Sequence, residues 1–99
     1  MKIKSIKKSL TALVLGGIIL SNSSIALAAV TNIGGGALYN GVTLKECYSN
    51  YYHPTKVHMS SAMNGKGLLV KSNWVNAGYT SYASVSRTLS GNQAFYSTR

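Results

Sequence analysis

Tyr79-Thr80-Ser81-Tyr82-Ala83-Ser84-Val85-Ser86-Arg87-Thr88-Leu89 is the stretch on which the fold class turns. In an extended chain, successive side chains alternate between two sides, which puts Ala83, Val85 and Leu89 on one face with Arg87 interrupting the run. Wound as a helix, the same residues would align Tyr79, Tyr82, Ala83, Ser86 and Leu89. The Ser and Thr content is high for a helix surface, so a strand is expected. A second alternation, Leu68, Val70 and Trp74, points the same way and places Trp74, the one tryptophan of the chain, in the expected core.

Outward from these runs, Gly, Asn and Ser punctuate the sequence at short intervals and no segment keeps an apolar 3.6-residue period, the pattern of a small β protein. Gly34-Gly35-Gly36 is expected to be a flexible lead-in. Asn40-Gly41, Asn64-Gly65-Lys66-Gly67 and Ser90-Gly91-Asn92 are turn signals. They divide the chain into six expected strands at 37–39, 42–52, 56–62, 68–75, 79–89 and 93–98, rich in Val, Thr, Tyr, Trp and Phe. The fold class is all-β and antiparallel.

The 99 residues carry 10 Lys+Arg against one acidic side chain, Glu46, for a formal charge of +9. Paired-carboxylate glycoside hydrolysis, aspartic proteolysis and carboxylate-held calcium or magnesium each need at least two acidic groups and are excluded. Thiol, hydroxyl and imidazole chemistry stays open. Four lysines lie among the first eight residues, the run 10–20 is apolar, and Ala26-Leu27-Ala28 has the small-residue spacing of a cleavage site. Residues 1–28 therefore read as a helical signal peptide whose apolar run is too short for a bilayer span of about 20 residues, with cleavage after Ala28 or, as a near competitor, Ala29. An uncleaved anchor and an N-terminal amphipathic helix are the alternatives.

Cleavage after Ala28 leaves 71 residues, 29–99, with Lys45, Lys56, Lys66, Lys71, Arg87 and Arg99 against Glu46 and all nine aromatics of the chain. Leu, Ile and Val are sparse in this piece, so its core must draw on tyrosine and tryptophan. A single cysteine, Cys47, offers no internal bridge. It reads as a small buried hydrophobe, or as the route to a homodimer linked by a disulfide between copies.

His53 and His58 flank Pro54 and, with Cys47, form the one constellation of metal-binding or nucleophilic side chains. Residues five apart on a strand point to opposite faces, so only a turn at His53-Pro54-Thr55 could bring the imidazoles together, and zinc needs three or four ligands; no metal and no cofactor is expected. A Cys–His dyad lacks an Asp to orient it, with Asn50 or Glu46 as the substitutes available, and no catalytic residue is assigned. The cations interleaved with aromatics suit phosphate or pyrophosphate ligands, although they also suit a merely solvated surface. Export removes most of the case for nucleic acid, and the mature piece has no hydrophobic stretch or amphipathic helix for membrane insertion. The expected target-binding surface is the segment from Tyr48 to His58, with Tyr48, Tyr51, Tyr52, His53, Lys56 and His58 as contacts, joined by Lys45 and Arg87. The competing view has the tyrosines filling the core, and strand alternation divides Tyr51 from Tyr52, one inward and one outward.

Tyr48-Ser49-Asn50-Tyr51-Tyr52-His53-Pro54-Thr55-Lys56-Val57-His58, preceded by Gly34-Gly35-Gly36 and followed by Trp74, Ala77-Gly78 and Ala94-Phe95-Tyr96, resembles the lactococcin 972 family of bacteriocins over nearly the whole mature piece. The resemblance implies a small antiparallel β-sandwich of two roughly three-stranded sheets. It also implies a secreted, non-enzymatic antibacterial acting on Gram-positive cells, with the cell-wall precursor lipid II as target and blocked septum formation as outcome. Leu38-Tyr39 stands where the family archetype has a tryptophan, and the archetype has no counterpart of Cys47. An exported adhesion module that binds a wall glycan or partner protein is the rival from another class.

Overall fold

A computed structural model describes residues 16–19 and 26–99. The chain is all-β, with eight strands among the described residues: β1 (Gly16–Ile19), β2 (Leu27–Ile33), β3 (Gly36–Val42), β4 (Glu46–Tyr52), β5 (His58–Met63), β6 (Leu69–Lys71), β7 (Thr80–Ser86) and β8 (Gln93–Thr98). They form two antiparallel sheets, in the orders β2-β3-β4-β7 and β1-β8-β5-β6. Within the continuous stretch 26–99 the sheets have four and three strands, one more than three and three because β2 pairs along the whole of β3. Most of the helix expected at the N-terminus lies outside the described residues; its residues 16–19 form β1 against β8.

The sheets pack face to face, with β4 and β7 of the first against β5 of the second. Few aliphatic side chains fill the space between them. One apolar cluster joins Val42, Cys47, Ala62, Ala83 and Val85, and a second joins Leu38, Tyr51, Ala94 and Tyr96. Between them, small hydroxyl side chains bond across the sandwich: Ser49 donates to the Phe95 carbonyl at 2.8 Å and Ser81 to the Ser60 hydroxyl at 2.9 Å. A serine can be buried at this cost only when its hydroxyl finds a partner. Here the partner is the opposite sheet, so each serine both fills space and ties the layers together.

The expected punctuation is partly relocated. Gly34 and Gly35, at φ 65° and 85°, make the two-residue hairpin turn between β2 and β3, where consecutive positive φ values favour glycine. Asn40-Gly41 is no turn but lies inside β3, opposite Ser49 and Tyr48. Gly41 is required there by close approach, since a Cβ would run into the Leu27 carbonyl. The turns at 64–67 and 90–92 fall where expected.

Trp74 departs from its expected place. β6 ends at Lys71, three residues before it, so the alternation that would carry the indole inward has already stopped. The ring is half-buried, with the Arg99 guanidinium 4.4 Å from its centre. Leu68 and Leu89 are also exposed, at 56% and 70%, whereas Ala83 and Val85 are in the core.

Candidate functional site

Strand β4 sorts the expected contact residues by its period of two. Cys47, Ser49 and Tyr51 point into the sandwich, while Glu46, Tyr48, Asn50 and Tyr52 point out. Tyr51 and Tyr52 thus face opposite sides.

The inward group is a closed interior cluster. Tyr51 is fully buried, packs on Tyr96 at 4.8 Å between ring centres, and donates its hydroxyl to the Ile33 carbonyl at 2.7 Å. His53 and His58 meet its ring edge-on at 6.1 and 5.6 Å and are themselves buried. Their surroundings differ in kind. His53 Nδ1 accepts the backbone N–H groups of Thr55 and Lys56 at 3.1 and 3.0 Å, so its proton sits on Nε2, which faces the Gly34 carbonyl at 3.1 Å. His58 instead has carbonyls against both nitrogens, Lys56 O at Nδ1 and Tyr79 O at Nε2, each at 2.8 Å. Both of these bonds form only when both nitrogens carry hydrogen. Tyr51, His53 and His58 therefore cannot touch a target from where they lie. The turn at 53–56, the one arrangement that could bring the two imidazoles together, folds them inward to 6.1 Å between ring centres, held by backbone carbonyls and N–H groups.

Burial, reinforced by the neighbouring Tyr96, pushes the Tyr51 phenol up to about 12 from an ordinary 10. The unfolded chain ionises this tyrosine first, so its contribution is intact below pH 10 and is lost as pH rises toward about 12. Alkaline titration followed by circular dichroism should show stability falling in that window. In Tyr51→Phe that slope should flatten, on a baseline lowered by the missing bond to Ile33.

Cys47 is fully buried, with Sγ 3.5 Å from the Gln93 carbonyl and 3.9 Å from that of Met63. Burial pushes the thiol up, outweighing those two carbonyl contacts and the charge of Arg87. A neutral, enclosed thiol is a poor nucleophile and does not reach a second copy, so a homodimer cannot be linked through it without opening the core. Native protein should resist iodoacetamide and react only once denatured, and Cys47→Ser should retain activity. Rapid alkylation of the folded chain would contradict this placement. Among the described residues no group of three or more His, Cys, Asp or Glu is arranged to hold a metal ion.

The outward group belongs to an open sheet face. Register puts Tyr39 on β3, Asn50 on β4 and Tyr82 on β7 in one row, with Tyr52 beside Thr80 on one side and Tyr48 beside Ser84 on the other. Tyr39 and Tyr82 are exposed at 45% and 70%. Two adjoining shallow depressions meet at Asn50 and Tyr82: one of about 480 Å³ reaches Tyr39 and Tyr52, the other, about 380 Å³, reaches Tyr48 and Glu46. Tyr39, Asn50 and Tyr82 were not among the contacts expected from sequence. For Tyr82 the signal was present, because the phase that buries Ala83 and Val85 turns it outward.

The cations expected to join one surface are separated. Lys45 and Arg87 sit together before β4, where the Arg87 N–H donates to the Lys45 carbonyl and its guanidinium to the Thr43 carbonyl, both at 3.0 Å. Lys56 is exposed in the turn after β4. Seven residues of strand, roughly 20 Å at about 3.3 Å per residue, lie between these ends.

A family model described as Bacteriocin (Lactococcin_972) matches residues 34–96, from the β2–β3 turn into β8. No curated protein and no solved structure matches.

Proposed function

The chain belongs to the lactococcin 972 family of bacteriocins, and on that premise we propose that it is a secreted antibacterial that binds a cell-envelope component, lipid II, and blocks wall or septum synthesis in Gram-positive bacteria. The observation that carries the reading is the family match across strands β3 to β8. Its support in the geometry is an open binding face beside separated cations, with the thiol and both imidazoles enclosed and used structurally. Such a surface binds rather than transforms its ligand.

Export follows from the lysine-rich start, the apolar run and Ala26-Leu27-Ala28. The mature form then begins at Ala29 or Val30, keeping most of β2 and all of β3 to β8. Of the residues first expected to meet the target, Tyr48, Tyr52 and Lys56 remain in position to do so, and Lys45 and Arg87 serve the opposite end. Lysine and arginine meet pyrophosphate oxygens through charge-assisted bonds that weaken with salt.

The test is a zone-of-inhibition assay with protein purified from culture supernatant, its mass measured intact. Killing by a species starting at Ala29 or Val30 is the expected result. A folded, secreted protein that binds cell walls without killing would instead be an adhesion module.

A further inference from the structure

We infer that the outer face of β3, β4 and β7 is a saccharide-binding surface that takes a neutral sugar chain along the row Tyr39–Asn50–Tyr82. The inference deepens the proposed function, on which it rests, by naming the part of the target that this face recognises.

Its chemistry narrows the ligand. Neither depression is lined by a lysine or arginine, and Glu46 is the one charged residue at their edge, so phosphate has no partner on this face. Beyond Val30 of β2, which is exposed beside Tyr39, aliphatic anchors of the kind a protein partner buries are also missing. They sit on the other side of the sandwich, where Met59, Met63, Leu69 and Phe95 line an apolar groove. What the tyrosine face offers is aromatic ring surface, phenolic hydroxyls and one amide. Sugar rings have the matching pattern, with C–H faces that lie against aromatic rings and hydroxyls at the rim that exchange hydrogen bonds with amides.

The spacing fits as well. Tyr39 and Tyr82 are two strands apart, roughly 10 Å from the interstrand distance, which is about the length of a disaccharide. Asn50 lies between them, half-buried, and its side-chain amide makes no hydrogen bond among the described residues. A half-buried amide at the centre of an aromatic row, with donor and acceptor both unused, is placed to fix a ligand's orientation. Because β4 is central in its sheet and pairs along its length with β3 and β7, the platform is rigid before the ligand arrives.

The probe is a soluble β-1,4-linked N-acetylglucosamine tetramer, titrated into the secreted protein and followed by calorimetry and by amide NMR shifts. Binding should perturb residues of β3, β4 and β7, stay constant between low and high salt, and weaken about tenfold or more in Tyr82→Ala and in Asn50→Ala. Tyr79→Ala, equally exposed at 68% but outside the row, should bind like the parent once shown to be folded. No binding of the tetramer, or equal binding by parent, Tyr82→Ala and Asn50→Ala, overturns the inference. If the protein nevertheless kills and binds lipid II, the antibacterial reading stands and the sugar surface alone is lost. If the tetramer binds through this row but no cell is killed, the sugar surface stands and the bactericidal reading is lost.

Discussion

Tyr51→Ala should leave the domain largely unfolded at room temperature. The ring is fully buried, stacks on Tyr96, carries the edges of two histidines, and ends in a 2.7 Å hydrogen bond to Ile33. Truncating a large aromatic in a core costs about 3–5 kcal/mol, and removing the hydroxyl leaves a carbonyl short of its donor. Domains near this size seldom have more than about 3–5 kcal/mol in total, so the loss is comparable with the whole stability. Trp74→Ala should be far milder. Its half-buried ring belongs to neither core cluster and loses the Arg99 guanidinium over its face, an interaction of about 0.5–1 kcal/mol, together with its partial burial. Urea unfolding followed by far-ultraviolet circular dichroism compares the two, and a tryptophan variant less stable than the tyrosine variant would refute the placement of the core.

His58→Leu should be the next most damaging change. Leucine is apolar and of similar bulk, so the space is largely kept, but the carbonyls of Lys56 and Tyr79 lose the imidazole nitrogens that face them. Each buried carbonyl left unsatisfied costs about 1–3 kcal/mol, so the variant should lie below the parent by about that amount for every bond lost. The carbonyls belong to the loop after β4 and the approach to β7, and the His58 backbone also bridges to Val75. Loss of this clamp should therefore loosen both segments, visible as faster amide exchange around residues 55–57 and 76–79 together with a lower melting temperature. A parental melting temperature would mean that water satisfies those carbonyls and that His58 clamps nothing.

Two kinds of information decided how far the sequence could be read. Period-two patterns were legible wherever one face is dry: β7 declares itself through Ala83 and Val85, and the split between Tyr51 and Tyr52 follows from their being neighbours on a strand. Long-range partners were not. Gly34-Gly35 and Asn40-Gly41 are both fair two-residue turn signals, and only the pairing of β3 with β4 and the closeness of Leu27 show that the second belongs inside a strand. β2 was missed because its exposed residues show no apolar alternation. Trp74 misled because alternation was extended past Lys71, where β6 stops. The histidines were assigned to the surface by residue type, yet their environment is made of backbone groups that every residue has.

The same limit applies to the candidate site. A sheet face is assembled from strands distant in sequence, so a contiguous segment such as 48–58 contains one stripe of it and four residues of the interior besides, Ser49, Tyr51, His53 and His58. Tyr39 and Tyr82 join Asn50 only through the register of β3 and β7 on β4. The cations that looked close in sequence are parted by the length of that strand.

The claim that this chain acts by binding a wall precursor on its tyrosine face is tested most directly by titrating the secreted protein with purified lipid II in detergent micelles, beside its Tyr82→Ala variant. Saturable binding by the parent, weakened about tenfold or more in the variant while both remain folded, is the predicted result. Folded parent protein that fails to bind lipid II at low salt, or a variant that binds it equally well, would contradict the account.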